Sequence, residues 1–298
     1  GPAHRGTLSL DLARFDRVLE LDDVSQVARI GGGTFGPALE AQLQPHGFTL
    51  RHFPQSFEFS TLGGWIATRA GGHFATGPTH IDELVEAVRL VSPRGAVESR
   101  RFPATGAGVD LNKLVIGSEG TLGVITEAWM RVRRKPAHRA GASVRFADFT
   151  RAVDATRAIV QSGLQPANCR LLDEREAMIN GVALDGSSVL VLAFESSDHP
   201  VDAALDRALA LAVAHGGRAE DRRASETWRA SFLQGPYLQD AMIQLGMLAD
   251  TFETACTWSA FPALYGEVNE AVQRALDGGV VSCRFTHVYP DGPAPYFT

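Results

Sequence analysis

The sequence predicts an α+β protein of two domains, on three observations. Short alternating or β-branched runs dominate residues 1–136. After Pro136 the pattern becomes strand, helix, strand, strand, helix. The 298 residues, 45% of them hydrophobic, can bury two cores of ordinary size. The boundary at Pro136 gives a first domain over 1–136 and a second over 137–298.

In the first domain, residues 7–12 alternate as a half-buried strand does, and 17–21 and 27–30 continue the pattern around a turn at Asp22 and Asp23. Together they predict a β-meander. Residues 37–47 read as a helix, with Pro37 in its first turn and Gly47 past its end. Residues 81–91 and 93–97 read as two strands joined by a turn, from near Ile81 to near Glu98. Residues 102–113, rich in Gly, Ala and Pro, read as a loop, and 124–133 return to a β pattern.

In the second domain, 142–146 is a predicted strand, 149–163 an amphipathic helix, and 169–172 and 188–195 strands. A helix over 201–215 then meets the stop Gly216-Gly217. This order is ferredoxin-like.

Composition excludes several functions. A formal charge of -6 gives no footprint for nucleic acid, and the basic runs Arg100-Arg101 and 131–135 are short enough to be solvated strand ends. The three cysteines have no CxxC spacing and the nine histidines no HExxH pair, so neither a disulfide framework nor a metal site is expected. No apolar run reaches membrane-spanning length, and residues 1–5 lack a signal-peptide core. A cytoplasmic location is expected, with peripheral membrane contact left open.

Chemistry concentrates in two segments, 54–72 (PQSFEFSTLGGWIATRAGG) and 116–126 (IGSEGTLGVIT). Glycine removes the Cβ barrier where a backbone must approach an anionic ligand, and Ser60, Thr61, Thr68, Ser118 and Thr121 add hydroxyl donors. Taken singly, each glycine pair also reads as an ordinary turn. Gly31-Gly-Gly-Thr-Phe-Gly36 lies between strand and helix like a phosphate loop, but it is read as a turn. His73 and His80 flank the first segment as structural residues or as proton carriers.

In wording and order, the two segments resemble the PCMH-type FAD-binding domain of the vanillyl-alcohol-oxidase family. Within it they are most similar to the alkyldihydroxyacetonephosphate synthases and their bacterial relatives. The resemblance runs along nearly the whole chain, through Cys169-Arg-Leu-Leu-Asp173, Thr251-Phe-Glu-Thr254 and Cys283-Arg-Phe-Thr286. It implies a partial FAD-binding domain followed by a ferredoxin-like cap domain, with the family's pyrophosphate loop expected ahead of residue 1 and its histidine-rich motif beyond Thr298.

It also implies noncovalent FAD, contacted by Gln55, Ser56, Phe57, Glu58, Phe59, Ser60 and Thr61, by Thr68, Arg69, Ala70 and Gly71, and by Glu119, Gly120, Thr121, Leu122, Gly123, Val124 and Ile125. Arg170 matches a family arginine lying over the flavin; read from the residues alone, it is equally a salt bridge to Asp173 or Glu174. Tyr296 matches a tyrosine that gives or takes a proton, or is an ordinary rim residue.

Gln239 stands where relatives carry an arginine for the substrate phosphate, and a neutral amide cannot make that charge-assisted pair. Arg222, Arg223 and Arg229 are the cations nearby in sequence. The implied reaction exchanges the acyl group of acyl-dihydroxyacetone phosphate for a fatty alcohol through a flavin adduct, without net redox. The alternatives are an FAD-linked oxidase or dehydrogenase of a 2-hydroxy acid or other alcohol, and a family member with a binding or structural role. A small-molecule or lipid substrate is expected, with a homodimer left open.

Overall fold

The computed structural model describes residues 8–220, 249–276 and 279–298, together with Gly6, Gln244 and Gly246. The chain forms two compact units. One comprises Gly1–Gly72 and His80–Lys135, the other His73–Thr79 and Pro136–Thr298.

The first unit is built on an antiparallel sheet of β1 (Val18–Asp22), β2 (Val27–Gly31), β4 (Val85–Ser92), β5 (Gly95–Glu98) and β6 (Val124–Arg131). Their order is β1-β2-β6-β4-β5, and β3 (Phe48–Thr49) pairs with β7 (Arg133–Arg134) in a separate ribbon. α1 (Gly36–Leu43) carries Pro37 in its first turn and buries Leu39 and Leu43; a 3-10 turn follows it, and Gly47 ends that turn at φ 76. α2 (Leu62–Thr68) is N-capped by Thr61 and buries Leu62, Trp65 and Ile66.

Three expectations fail here. Residues 8–12 form no strand, and Leu8 and Leu10 are 85% and 61% exposed. Alternation makes a strand only where a neighbour supplies the ladder bonds. The run from Ile81 begins instead as a 3-10 turn, Ile81–Glu83, so β4 starts at Val85. The predicted loop 102–113 ends in α3 (Leu111–Val115), which Asp110 caps by accepting the Asn112 amide at 2.9 Å.

Glycines 31–33 prove to be packing residues. A Cβ on Gly31, Gly32 or Gly33 would run into the carbonyls of Phe15, Ile125 or Leu12 respectively. The turn reading of that loop has a physical cause, since the amides of Gly31, Gly32 and Thr34 already donate to the carbonyls of Arg17, Thr126 and Gly31.

The second unit holds β8 (His138–Phe146), α4 (Phe149–Gln161), β9 (Asn168–Leu172), α5 (Glu174–Ile179), β10 (Ser188–Ser196), α6 (Asp202–Ala214) and β11 (Arg218–Ala219). It continues with β12 (Phe252–Glu253), α7 (Phe261–Leu276), β13 (Cys283–Val288) and β14 (Pro293–Phe297). The sheet order is β11-β8-β10-β9-β13-β14-β12. Its first four strands have the antiparallel split β-α-β arrangement of a ferredoxin-like fold, as expected. α5 and α7 were not anticipated.

One sheet face is apolar: Val144, Phe146, Cys169, Leu171, Leu190, Leu192, Cys283 and Phe285 pack with α4 and α6. α4 buries Ala152, Val153, Ala155, Thr156, Ile159 and Val160, the stripe that a 3.6-residue period demands. The segment His73–Thr79 is stitched into this unit. The Ala75 amide donates to the Ala167 carbonyl at 3.0 Å, the Val288 amide to the Ala75 carbonyl at 3.2 Å, and the Thr76 hydroxyl to the Pro166 carbonyl at 2.6 Å. Among the described residues no helix is long and apolar enough to cross a membrane.

Gly32 and Gly64 separate packing from permissiveness. Gly32→Ala has no room beside the Ile125 carbonyl and is expected to destabilise by roughly 1–3 kcal/mol. Gly64→Ala, inside α2 with Thr61 Oγ1 3.5 Å from the new methyl, is expected to stabilise by roughly 0.5–1 kcal/mol. Urea unfolding midpoints check both, and equal midpoints for the two variants would refute the assignment.

Candidate functional site

The structure brings the two glycine segments together through the backbone. The Gly117 amide donates to the Ile66 carbonyl at 3.0 Å and the Glu119 amide to the Ala67 carbonyl at 2.9 Å, so the second segment satisfies the end of α2. Arg69, at φ 55, and Glu119, at φ 51, hold left-handed backbone at this junction. Arg69 Nη2 and Lys113 Nζ each lie 2.9 Å from Asp82 Oδ2. Burial works to raise the Asp82 pKa, but the hydrogen bonds from Lys113 and Arg69 overcome it and hold the carboxyl below its ordinary value.

The expectation that amides and hydroxyls of the first segment face a phosphate needs correction. The amides of Leu62, Gly63, Gly64 and Trp65 donate to Thr34 O, Gly32 O, Thr61 Oγ1 and Thr61 O. Ser60 gives its proton to the Ser56 carbonyl at 2.7 Å and its oxygen accepts from Trp65 Nε1 at 2.6 Å. Thr68 donates to Gly64 O at 3.0 Å and Thr121 to Ser118 O at 2.6 Å. These donors are spent inside the protein.

What remains is an open backbone edge. Gly64 and Gly120 are exposed and uncrowded, the latter at φ 76 with nothing near its missing Cβ. The exposed side chains are Gln55, Ser56, Glu58, Phe59, Thr68, Arg69, Glu119, Thr121 and Leu122, while Phe57 is buried and stacks on Trp65 at 6.0 Å. Gly123 is a packing residue, at φ 147 with the Val91 carbonyl 2.6 Å from an added Cβ. Val124 and Ile125 lie in β6, and Gly71 bridges to His80 beside Ala70, whose carbonyl takes the Ile81 amide. These residues fit a flavin nucleotide as an uncrowded glycine edge together with Ser118, whose buried Oγ has no hydrogen-bond partner, rather than as a full set of hydroxyl donors.

A second cluster lies on the other face of the second unit's sheet. Because Cys169 and Leu171 point into the apolar core, Asn168 and Arg170 point the opposite way. Arg170 is fully buried and donates from Nη2 to the His73 carbonyl at 3.3 Å. Neither Asp173 nor Glu174 holds it, which corrects the salt-bridge alternative. Burial, aided by the nearby Arg284, lowers its pKa to about 9 against the pull of Glu253 and Glu176, and the guanidinium stays charged at neutral pH.

Sequence reasoning missed Glu176 and Arg284. Glu176 Oε1 accepts from Arg284 Nη1 at 2.6 Å, and Oε2 accepts from Ser282 Oγ at 2.6 Å. The Arg284 guanidinium lies 3.9 Å over the Tyr296 ring, from the neighbouring strand position. Tyr296 donates its hydroxyl to Thr251 Oγ1 at 2.8 Å. The available signal was an arginine at an alternate position of an apolar run, the same signal that marked Arg170.

Asp173 anchors this region. Its carboxylate caps α5 through the Glu176 amide at 2.8 Å, takes the Cys283 amide at 2.7 Å and accepts from Tyr265 at 3.2 Å. Burial nevertheless raises its pKa to about 6. Burial also pushes Cys169 up to about 12, which suits an inert core thiol. Gln239, Arg222, Arg223 and Arg229 lie outside the described residues. Among the described residues no cluster of three His, Cys, Asp or Glu side chains could hold a metal ion.

Known proteins are similar to this chain in sequence and fold. The family of FAD linked oxidases, C-terminal domain, matches residues 135–298, and the FAD binding domain matches 1–99. The alkyldihydroxyacetonephosphate synthase of Caenorhabditis elegans is 30% identical, over 98% of this chain and 55% of its own length. That of Dictyostelium discoideum is 29% identical, over 98% and 53%. A solved structure of alkyldihydroxyacetonephosphate synthase aligns with a TM-score of 0.87 at 29% identity, over 99% of this chain and 62% of that one. The chain spans about half the length of the curated relatives it matches.

Asp173 makes a pH prediction. An unfolded carboxyl titrates near 3.8 and the folded one near 6, so between these values the folded state binds the extra proton. That contribution is fully present below about pH 4 and is lost as pH rises through about 6, on the order of 3 kcal/mol for a shift of this size. Asp173→Asn should flatten stability against pH across this window. Urea unfolding at a series of pH values checks it, and curves that stay parallel for the two proteins would refute the raised carboxyl.

Proposed function

This chain belongs to the family of FAD-linked oxidases, and on that premise we propose that the protein is a flavoenzyme of the alkyldihydroxyacetonephosphate synthase kind. It exchanges the acyl group of acyl-dihydroxyacetone phosphate for a fatty alcohol. The observation that carries the reading is the union of the two glycine segments at the end of α2, within a chain similar throughout to such synthases.

FAD is held noncovalently along Gln55–Thr61, Thr68–Gly71 and Glu119–Ile125, chiefly by backbone and by the open edge at Gly64 and Gly120. The bound flavin supplies the reactive centre for group transfer. The residues of the chain position and shuttle. Arg170, charged and locked by burial, orients an oxygen-rich ligand. Arg284, fixed by Glu176, holds the Tyr296 ring so that its hydroxyl can exchange a proton with substrate. Ether-lipid synthesis is the proposed setting, and a lipid substrate is compatible with peripheral membrane contact. The cytoplasm remains the proposed location and a homodimer the proposed assembly.

The neutral amide at Gln239 favours a second reading, an FAD-linked oxidase or dehydrogenase of a 2-hydroxy acid or other alcohol on the same scaffold. Flavin bleaching by candidate alcohols, followed by reoxidation in air, would select it.

Purified protein is expected to show a flavin spectrum whose chromophore leaves with the supernatant on acid precipitation. Arg170→Lys is expected to keep fold and flavin but lose most turnover, because lysine keeps the charge without the planar fork. Turnover within about twofold of wild type, too small for a lost charge-assisted hydrogen bond, would overturn the role of Arg170.

A further inference from the structure

The polar face of the second unit's sheet holds two groups that the proposed reaction does not use. Asn168 and Thr286 are 5% and 7% exposed, and neither Asn168 Oδ1 nor Thr286 Oγ1 has a hydrogen-bond partner in the protein. Buried polar atoms are almost always partnered, because an unmade bond inside the protein forfeits the bond to water. Two such atoms on adjacent strands of one sheet therefore call for an explanation.

The backbone places them deliberately. On β13, Cys283, Phe285 and Val288 all point into the apolar core, an interval that regular alternation does not allow. The register against β14 slips between Phe285 and His287, the mark of a β-bulge. Alternation from Phe285 sets Thr286 on the polar face, and the bulge after it returns Val288, rather than His287, to the core. Arg284 opposite Leu172 fixes the register of β13 on β9, and continuing it by two residues sets Thr286 opposite Arg170. Beyond that point β9 and β13 part, and Ala75 bridges their backbones at Ala167 and Val288. Asn168 and Thr286 stand near this separation, on the sheet face that also carries Arg170 and Arg284.

We propose that Asn168 and Thr286 form a polar subsite for a ligand group carrying a hydrogen-bond donor beside an oxygen acceptor. Asn168 Oδ1 only accepts, so the ligand must bring an O–H or N–H; the Thr286 hydroxyl both donates and accepts. Arg170 and Arg284 on the same face favour an oxygen-rich ligand. A hydroxyl next to a carbonyl on the substrate has this chemistry. The inference rests on the proposed flavoenzyme reading and adds residues to it.

The test uses Thr286→Val and Asn168→Leu, which keep size and remove the polar atoms, with Thr286→Ser restoring the hydroxyl. Three quantities are read: unfolding midpoint without flavin, flavin affinity by fluorescence quenching, and KM with kcat on acyl-dihydroxyacetone phosphate. Because no protein bond is lost, both apolar variants should be at least as stable as wild type without ligand.

Binding should weaken about tenfold, the effect of one lost hydrogen bond, and Thr286→Ser should recover most of it. A raised KM with intact flavin affinity supports the subsite, and weakened flavin affinity with an unchanged KM overturns it. Both constants within about twofold of wild type overturn the subsite. So does a flavin-free variant clearly less stable than wild type, which would mean the groups serve the fold. A wild type that binds no flavin defeats the flavoenzyme reading instead, and the flavin-free midpoints then decide the subsite: unchanged or raised supports it, lowered overturns it.

Discussion

The first unit depends on how closely backbones can approach one another around Gly32. The Gly32 amide donates to the Thr126 carbonyl at 2.8 Å, while its own carbonyl accepts from the Gly63 amide at 2.7 Å. A side chain at Gly32 would drive into the Ile125 carbonyl, and one at Gly63 would sit 2.8 Å from the Gly32 oxygen. β2, β6 and the first turn of α2 are thus pinned together at a distance only glycine permits. With α2 pinned there, its last carbonyls at Ile66 and Ala67 are presented to the second glycine segment. The union of the two segments is a consequence of packing at the opposite end of a seven-residue helix.

In the second unit a buried carboxylate plays the comparable part. Asp173 ends β9, caps α5 and ties in the Cys283 amide, so a single side chain joins two strands and a helix. α5 in turn supplies Glu176, which fixes Arg284, which stacks on Tyr296. Leaving water is unfavourable for each of these charges, and the geometry offsets it with several charge-assisted bonds at 2.6–2.8 Å. The network is a chain of dependence, and loosening Asp173 loosens everything beyond it.

The sequence made the fold legible wherever a pattern had only one structural meaning. The stripe of α4 and the apolar strands β9 and β10 could be read because burial on both sides leaves few alternatives. Residues 8–12 misled because alternation is silent about whether a partner strand exists. α5 was hidden because Asp173 reads as a cap only once the end of β9 is known. The two glycine segments were legible as a pair, but the use of each glycine was not. Gly63 and Gly123 serve close packing, whereas Gly64 and Gly120 leave open space, and residue identity is the same in all four. Glu176 and Arg284 lay beyond reach for a similar reason, since their contact spans 108 positions in the chain.

The two faces of the second unit's sheet show how stability and chemistry share one scaffold. The apolar face is filled with Leu, Val, Phe and Ala against α4 and α6, which supplies the area that keeps the sheet folded. The opposite face carries Asn168, Arg170, Thr286 and Arg284 at low exposure, a costly set of neighbours in a core. A sheet selected for stability alone would place apolar residues there, as it does at Val189, Val191 and Leu172 beside α5. The polar stretch begins where that apolar patch ends, and the bulge in β13 closes it by returning Val288 to the core. Local rules broken together at one place, on a frame that keeps them elsewhere, are the mark of residues held for a ligand rather than for the fold.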